Sequence, residues 1–301
     1  MERILITGSN GLLGQKLVIL LAAKKKYEIL AVSKNSNKIE TIKGYDFQNL
    51  DITDHVSTYK IIKDFKPGFV FNTAAITQVD QCKQDKPMCK ALNVDAVENL
   101  VNCCNELNSH LIHLSTDFVF DGKNGPYKED DQPNPLSFYA KSKLDSEKLI
   151  QQSNISWTII RTILVYGLTY RNSRPNFVTW VKESLEKNKN INVVTDHIRM
   201  PTLAEDLANG CYLAMLHKAK GMYHISGKDM VNMFEFAQIV ADTFELDKSL
   251  IHPVLSDTIK DADPRPPKTG FILEKSYKNL NYKPHSIYEG LQIIKKQYIN
   301  Y

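Results

Sequence analysis

The sequence predicts an α/β protein: a doubly wound parallel sheet with a smaller C-terminal lobe that is interleaved with the last elements of the sheet. Two observations predict the sheet. Short β-branched runs alternate with helical stretches through the first half of the chain, and a glycine-rich turn joins the first run to the first helix. Strands and helices that alternate at this length form parallel sheets covered on both faces. A third observation predicts the lobe, because the alternation ends near residue 165 and a polar, turn-rich stretch follows.

The elements of the first half follow from the apolar, β-branched runs and from the breakers between them. In chain order, the predicted elements are a strand at Ile4–Thr7, a helix at Leu12–Lys24, strands at Glu28–Val32 and Phe69–Phe71, a helix at Pro87–Leu107, a strand at His110–Leu114, a helix carrying Tyr139–Gln151 and a strand at Trp157–Ile160. Buried parallel strands are almost continuously apolar, and these runs have that character. In the second half, Asn232 with Glu235 and Ser286 with Glu289 have capping-box spacing, which predicts two helix starts.

The composition is that of a globular protein and excludes several classes of function. Of the 301 residues 43% are hydrophobic, and 38 basic against 34 acidic residues leave a net charge of +4. Nucleic-acid-binding proteins usually cluster their basic residues, whereas these are scattered, so no nucleic acid is expected as a partner. The longest apolar run, Val18–Ala23, is shorter than the ~20 residues of a membrane helix. Strand-like sequence also begins too early for a secretory leader, so no membrane contact is expected.

The chain has five cysteines, at positions 82, 89, 103, 104 and 211, and their number and spacing indicate the cellular compartment. They are odd in number and lack the paired spacing of metal ligands. We therefore expect free thiols in a reducing cytosol, a cytoplasmic protein and no metal site.

The turn after the first strand reads TGSNGLLG at residues 7–14. Gly8 permits the tight turn, Gly11 lets the backbone approach a pyrophosphate, and Gly14 allows the helix to pack close to the sheet. The helix N-terminus offers free N–H groups and a partial positive charge to a diphosphate. A Rossmann-like dinucleotide site is therefore predicted. Its cofactor-binding residues in this turn are Gly8, Asn10, Gly11, Leu12, Leu13 and Gly14.

The end of the second strand distinguishes the two nicotinamide cofactors. NAD sites usually place a carboxylate there to bind the ribose hydroxyls. Here the strand ends in Ser33 and Lys34, and Lys38 follows. A hydroxyl and cations suit a 2′-phosphate, so the sequence favours NADPH, with NADH as the alternative. Lys34 could equally be a solvated loop lysine.

Tyr139 and Lys143 lie four residues apart in a predicted helix, which places both side chains on one face. A neighbouring ammonium and a cationic nicotinamide favour the phenolate and are expected to bring the tyrosine pKa down from ~10. The tyrosine would then give its proton to a carbonyl oxygen as hydride arrives at carbon. Thr116, at the end of the preceding strand, would hydrogen-bond the same oxygen. Tyr59 and Lys63 share the spacing but precede that strand, so we expect packing or surface roles for them.

These motifs together resemble the extended short-chain dehydrogenase/reductases, and within them the dTDP-4-dehydrorhamnose reductase branch. The resemblance runs in family order over nearly the whole chain. Besides the glycine turn and the Tyr139/Lys143 pair, the matching segments are NTAAITQVD (72–80), LNVDAVENL (92–100), LSTDFVFDG (114–122), RTILVYG (161–167), Asn176 with Phe177, DHIRMPT (196–202) and GMYHISG (221–227).

The resemblance implies an NAD(P)-binding Rossmann-like domain over residues 1–165 and a substrate-binding lobe over residues 166–301. It implies NAD(P)H-dependent reduction of the 4-keto group of a nucleotide-linked 6-deoxysugar, in dTDP-L-rhamnose and polysaccharide biosynthesis. Thr116 would polarise the keto oxygen, Tyr139 would donate the proton, and Lys143 would hold the cofactor ribose and tune Tyr139.

The resemblance assigns further residues to the two ligands. Toward the cofactor it implies Asp51 and Ile52 by the adenine and Ala74, Ala75 and Asn93 along the cleft. Toward the substrate it implies Thr77, Val79, Thr116, Asp117, Asn176, Arg199 and Arg265.

Some of these assignments have structural alternatives. Arg199 could bridge two loops, Arg265 lies in a proline-rich loop, and Asp117 could cap the following turn instead of orienting substrate. His113, inside an apolar strand, is expected to be a packed core histidine.

Two departures from the family pattern fall where the sugar should bind. Leu164 replaces a tryptophan, and Lys268 replaces an amide or acid in the segment RPPKTGF (265–271). The exact sugar and nucleotide therefore stay open, while the catalytic set is intact.

Two other functions stay open on the same scaffold. The first is a nucleotide-sugar epimerase or dehydratase. A dehydratase typically has two consecutive acidic residues after the catalytic threonine. Here Asp117 follows Thr116, but the next residue is Phe118. The second is a non-catalytic, NADP-binding regulatory subunit, since the β subunit of methionine adenosyltransferase resembles this branch. A homodimer is compatible with the resemblance, and the sequence does not fix the oligomeric state.

Overall fold

The computed structural model describes residues 1–170, 174–259 and 263–299. Its strands are β1 Glu2–Thr7, β2 Tyr27–Ser33, β3 Asp46–Asn49, β4 Phe69–Asn72, β5 His110–Thr116, β6 Ser156–Thr162, β7 Val165–Tyr166, β8 Ile191–Val194, β9 Ile198–Arg199, β10 Thr202–Leu203, β11 Gly221–His224, β12 Val231–Asn232 and β13 Ile251–Val254. Its α-helices are α1 Leu12–Ala23, α2 His55–Phe65, α3 Val79–Gln84, α4 Lys86–Lys90, α5 Ala96–Leu107, α6 Phe138–Gln152, α7 Phe177–Glu186, α8 Ala204–Leu216, α9 Met233–Phe244, α10 Glu274–Leu280 and α11 Ile287–Ile299.

Seven parallel strands form the central sheet, in the order β11-β6-β5-β4-β1-β2-β3. The predicted doubly wound parallel sheet is confirmed. The strand order reverses between β1 and β4, and ligands of such sheets bind at the carboxyl ends of the strands beside this switch point. The glycine turn at residues 7–14 leaves β1 at that edge.

Alternation along the strands gives the sheet two apolar faces. On one face Ile4 and Ile6 pack with Leu17 of α1 and Leu207 of α8. On the other face the core contains Leu5, Val70 and Leu111 together with residues of α5 and α6. Strand β3 was absent from the predicted elements, because its sequence DFQN is polar and its residues are exposed or half-buried at the sheet edge.

The second half of the chain contributes to the sheet and also has a core of its own. Strand β11 pairs with β6 at the edge of the central sheet, as an interleaved lobe requires. A separate core surrounds Tyr166, Val181, Phe236 and Leu291. No helix among the described residues is both long enough and apolar enough to cross a membrane.

Both predicted capping boxes are present in the second half. The Asn232 side chain accepts the amide N–H of Glu235, whose carboxylate accepts the amide of Asn232. Ser286 and Glu289 make the same reciprocal pair at the start of α11, with the Ser286 amide 2.7 Å from the Glu289 carboxylate.

Helix α1 connects the glycine turn to the second half of the chain through two consecutive side chains. The Gln15 amide donates to the carbonyl of Tyr170 and accepts its N–H, at 3.4 and 2.7 Å. The Lys16 ammonium, which is buried, pairs with Glu205 of α8 at 2.8 Å. Gln297 of α11 donates to the same carboxylate.

The predicted helix at Pro87–Leu107 is interrupted. It consists of α4, a π-helical turn at Ala91–Asp95 and α5. Single π-turns inside helices are rare and frequently occur at functional sites. This one carries Asn93, which is fully buried.

The prediction that all five cysteines are free thiols is wrong for two of them. Cys82 and Cys89 form a disulfide with a Cα–Cα distance of 5.1 Å. Their helices, α3 and α4, follow each other directly and fold back to bring the two residues together, which the spacing of seven residues alone does not indicate. Cys103, Cys104 and Cys211 are buried free thiols, and burial raises the pKa of Cys103 to about 11.

Candidate active site

The glycine turn leaves no room for side chains where it approaches the sheet. Gly8 has a φ of +65°, and a Cβ there would lie 2.7 Å from the backbone nitrogen of Ala74. A Cβ on Gly14 would overlap the carbonyl oxygen of Gly8. The turn therefore needs glycine at both positions, one for its conformation and one for the close approach of helix and loop.

The beginning of α1 fits a bound diphosphate. Its N-cap is Gly11, and no side chain caps the first turn. The N–H groups at Leu12 and Leu13 belong to that uncapped turn, where backbone donors and the helix dipole favour an anion. The residues present thus fit a dinucleotide, and Gly11 would let its phosphates approach the backbone.

Asn10 shapes the loop that follows β2. Its amide nitrogen donates to the carbonyls of Asn35 and Ser36 at 3.0 and 2.9 Å, and its oxygen accepts the N–H of Lys38 at 3.0 Å. The residues expected around an adenosine ribose are therefore held against the glycine turn. A direct contact of Asn10 with cofactor stays a prediction.

Lys34, predicted to bind a 2′-phosphate, is paired with Asp51 at 2.8 Å across the ends of β2 and β3. Burial acts to raise the pKa of Asp51, but hydrogen bonds from Lys34 and Thr53 outweigh it and lower that pKa. The backbone joins the same two ends, because Leu50 donates to the carbonyl of Ser33 at 2.9 Å. Ile52 is buried next to this pair. The predicted adenosine residues therefore lie together at one edge.

The structure brings the three predicted catalytic residues to one place. Thr116 is the last residue of β5, and Tyr139 lies in the first turn of α6, which Ser137 caps. The hydroxyl of Thr116 donates to Asp117 at 3.1 Å and lies close enough to the phenol of Tyr139 to act on its pKa. Lys143 lies one turn further along α6, and all three are buried.

The charge state of Tyr139 differs from the expectation. Burial raises the pKa of Tyr139 to about 12, the hydrogen bond from Thr116 opposes the rise, and the charge of Asp117 adds to it. The ammonium of Lys143 is directed elsewhere, toward His113 at 3.1 Å. A phenol with a raised pKa keeps its proton at neutral pH, which is the form that a proton donor needs.

Asp117 lies directly beside the catalytic hydroxyls. Its carboxylate accepts hydrogen bonds from the hydroxyls of Thr116 and Thr269. Burial raises the pKa of Asp117 against the charge of Arg199, which acts to lower it. Phe118 follows it, so the carboxylate pair expected of a dehydratase is incomplete.

The loop after β4 is held against α6 by Asn93. Its side-chain oxygen accepts the N–H of Ile76 at 2.9 Å, and its nitrogen donates to the Ile76 carbonyl and to Ser142 at 3.0 and 3.1 Å. Asn93 lies in the π-helical turn, and its side chain lies between the loop and α6. Sequence reasoning named Asn93 but missed Ile76 and Ser142, whose residue types carry no distinguishing signal. Four predicted contact residues lie on or directly after this loop: Ala74, Ala75, Thr77 and Val79.

The three residues predicted to contact the nucleotide or diphosphate all have protein partners. Asn176 caps α7, and its amide donates to the carbonyl of Gly167 at 2.6 Å. The Arg199 guanidinium donates to the carbonyls of Ile198, Pro266 and Pro267 at 2.7, 2.6 and 3.1 Å, so it bridges two loops. Arg265 is paired with Asp80 at 2.9 Å. Their contacts with a ligand stay predictions.

The two departures from the family pattern lie near the same loops. Leu164 has a φ of +37° and packs between two apolar clusters. Lys268 is half-buried and forms a bridge with Ile198 next to Arg199. Within the part of the chain that the structure describes, no group of His, Cys, Asp and Glu side chains is arranged to hold a metal ion.

This chain is similar to known proteins over almost its full length. A family model described as the RmlD substrate binding domain matches residues 1–299. The chain is 36% identical to a dTDP-4-dehydrorhamnose reductase of Aggregatibacter actinomycetemcomitans over 272 residues, which are 87% of this chain and 86% of that protein. It is 31% identical to methionine adenosyltransferase 2 subunit beta of Xenopus laevis over 270 residues, 88% of this chain and 78% of that protein.

A solved structure gives the same result for the fold. The dTDP-4-dehydrorhamnose reductase of Bacillus anthracis, in complex with NADP, matches with a TM-score of 0.82 at 25% identity. The match covers 98% of this chain and 99% of that chain. The similarity thus includes both the glycine turn and the segments after residue 165.

Proposed function

The chain belongs to the RmlD substrate binding domain family, and we propose that it is an NAD(P)H-dependent reductase of the 4-keto group of a nucleotide-linked 6-deoxysugar. The substrate we propose is dTDP-4-dehydrorhamnose, which the reductase relatives carry in their names. One observation carries the proposal: the Thr116 hydroxyl, the protonated Tyr139 phenol and Lys143 stand together at the carboxyl edge of the sheet, beside the glycine turn.

Each residue of this set has a distinct part in the proposed reaction. Bound NADPH or NADH supplies the hydride. Thr116 hydrogen-bonds the keto oxygen as negative charge develops on it. Tyr139 transfers its phenolic proton to that oxygen and completes the alcohol. Lys143 holds the ribose of the cofactor, and its positive charge stabilises the phenolate that the transfer leaves behind.

The substrate lobe is proposed at residues 166–301, opposite the cofactor domain at residues 1–165. In this proposal Asn176, Arg199 and Arg265 would contact the nucleotide or diphosphate, and Asp117, Thr77 and Val79 would contact the sugar. The hydrogen-bond partners of Arg199 are backbone carbonyls, and the carboxyl that acts on its pKa is Asp117. In this proposal the guanidinium would attract the diphosphate.

Turnover of dTDP-4-dehydrorhamnose, followed by the loss of NADPH absorbance at 340 nm, tests the function. Net oxidation of NADPH with formation of dTDP-L-rhamnose is expected. An epimerase or dehydratase would recycle its cofactor and leave the absorbance constant. The proposal would be contradicted if the chain bound NADPH but did not oxidise it in the presence of any 4-keto sugar nucleotide.

A regulatory subunit is the second candidate function, because the chain is 31% identical to methionine adenosyltransferase 2 subunit beta over most of its length. The intact Thr116, Tyr139 and Lys143 set favours the reductase. A stoichiometric partner enzyme recovered with the chain, together with no reductase activity, would reverse this choice.

Lys34 is expected to set the preference for NADPH over NADH. Replacing Lys34 by Ala should raise the KM for NADPH about tenfold, because one charge-assisted hydrogen bond to the 2′-phosphate is lost. The KM for NADH should change little, because NADH has no 2′-phosphate. Steady-state kinetics with both cofactors measure the ratio. Lys63→Ala is the matched control, since Lys63 is likewise an exposed lysine paired with an acid. An equal effect of Lys34→Ala on both cofactors would exclude a contact with the 2′-phosphate.

A further inference from the structure

Three buried polar side chains lie in a row across three neighbouring strands. Thr7 of β1 is in register with Asn72 of β4, and Asn72 is in register with His113 of β5. The Thr7 hydroxyl donates to Oδ1 of Asn72 at 2.7 Å, and Nδ2 of that amide lies 3.1 Å from Nδ1 of His113. None of the three is more than 1% exposed. The partners of these side chains are each other, α6 and the backbone N–H of Ala74, which lies 3.4 Å from the Thr7 hydroxyl.

The row ends on the lysine of the catalytic set. Nε2 of His113 lies 3.1 Å from Nζ of Lys143 and 3.2 Å from the hydroxyl of Ser146. Ser146 donates its one proton to the carbonyl of Lys143 at 2.7 Å. His113 is buried in the core, as expected, and it is the side chain that faces the ammonium from the sheet.

The protonation of this row follows from its chemistry. An ammonium can only donate hydrogen bonds, so Nε2 must be the acceptor. Burial, and after it the charge of Lys143, holds the pKa of His113 well below its usual value, so the ring is neutral. A neutral ring with an accepting Nε2 carries its proton on Nδ1. That proton then points at Asn72, whose amide presents its oxygen by a half-turn of the side chain.

We propose that His113 is a positioning residue, whose unprotonated Nε2 holds the ammonium of Lys143 in place and keeps it charged in the buried site. The proposal rests on the proposed reductase function of Lys143. Thr7 and Asn72 connect β1, the strand before the glycine turn, to the ring of His113 and so to the catalytic helix. The hydrogen bond at one ring nitrogen of a histidine generally decides the ring orientation and which of the two nitrogens carries the proton.

The groups around Lys143 act on its pKa in opposite directions. Burial lowers the pKa of Lys143 to about 8, and the charge of Glu147 acts against that. Glu147, one turn along α6, is itself bonded to Arg161 of β6 at 2.7 Å. From β5 the lysine is faced by the neutral ring of His113. Lys143 is the one charged group that acts on the pKa of His113 among the described residues.

A pH profile distinguishes this role from packing. The reduction needs the ammonium, so activity should fall as pH rises through the pKa of Lys143. Without the acceptor, the charge of Glu147 alone opposes burial, so that pKa falls further. His113→Phe should therefore move the alkaline limb of kcat down by about one pH unit and reduce kcat about tenfold, the effect of one lost hydrogen bond to a charged group.

Two variants serve as controls. His113→Gln can place an amide oxygen where Nε2 was, and should keep the alkaline limb near its original pH. His110→Phe removes a buried histidine of the same strand that bonds Ser156 and Thr158 instead of the lysine. It should change stability without moving the limb. An unmoved limb in His113→Phe, or an equal movement in His110→Phe, would overturn the proposal.

A measurement on the free, unsubstituted protein decides the question independently of activity. Nitrogen-15 shifts of the His113 ring at pH 7 should show a protonated Nδ1 and an unprotonated Nε2. A proton on Nε2 would mean that Lys143 is not its donor, and would refute the proposal even if His113→Phe failed to fold. Absence of turnover by the unsubstituted chain would instead refute the proposed function, and the ring shifts would still decide the contact with Lys143.

Discussion

Replacing Tyr139 by Phe is expected to lower kcat at least about a hundredfold, the usual loss for a missing general acid, with NADPH affinity nearly unchanged. The substitution removes only the hydroxyl whose proton completes the alcohol. Thr116 would still hydrogen-bond the keto oxygen, and Lys143 would still hold the ribose, so binding of both ligands should survive. Steady-state turnover gives kcat, and quenching of protein fluorescence by NADPH gives the affinity.

The chain contains a matched control for this substitution. Tyr59 and Lys63 of α2 have the same i, i+4 spacing and are in contact, with Lys63 Nζ 2.8 Å from the Tyr59 hydroxyl. Tyr59 is exposed, as expected, and its hydroxyl bonds Glu106. Tyr59→Phe should therefore keep full activity. A Tyr139→Phe variant with wild-type turnover would disprove the proposed proton transfer.

Replacing Glu147 by Leu is expected to cost about 3–5 kcal/mol of unfolding free energy, because it leaves a buried guanidinium without its counter-charge. Arg161 of β6 and Glu147 of α6 form two hydrogen bonds, at 3.0 and 2.7 Å. Their side chains are 3% and 0% exposed, so water cannot replace the lost partner. Urea denaturation followed by circular dichroism measures the loss.

Two further variants test the cause of that destabilisation. Glu106→Leu breaks an exposed pair with Lys63 on α2 and should leave the denaturation midpoint unchanged, since surface pairs contribute little. Glu147→Leu combined with Arg161→Met removes both charges and should recover most of the stability. If the double variant were as unstable as the single one, lost packing and not the unpaired charge would be the cause.

The fold and the catalytic set could be predicted because their signals are local. Gly8 and Gly14 follow directly from a strand-to-helix turn, and the spacing of Tyr139 and Lys143 follows from the helical period. The capping boxes of α9 and α11 are reciprocal contacts three residues apart. Each of these features needs only the neighbouring sequence, and the structure contains all of them.

What the sequence could not reveal depends on contacts between distant segments. Asp51 lies seventeen positions beyond Lys34, and only the pairing of β2 with β3 makes them an ion pair. The pKa of Tyr139 was expected to fall because the Lys143 ammonium and a cationic nicotinamide would favour the phenolate. It is raised because burial dominates and the charge of Asp117 adds to the rise. The ammonium of Lys143 contacts His113, which lies thirty residues before it in the chain.

The links that Gln15 and Lys16 make from α1 to Tyr170 and Glu205 have a thermodynamic consequence. Helix α1 begins at the glycine turn, so a ligand that changes the position of this helix also changes that of the second half of the chain. Coupling between two sites is reciprocal: the factor by which a bound dinucleotide changes the affinity for the sugar nucleotide equals the factor by which the sugar nucleotide changes the affinity for the dinucleotide. The contacts of Gln15 and Lys16 are the ones through which such a coupling would act in this chain.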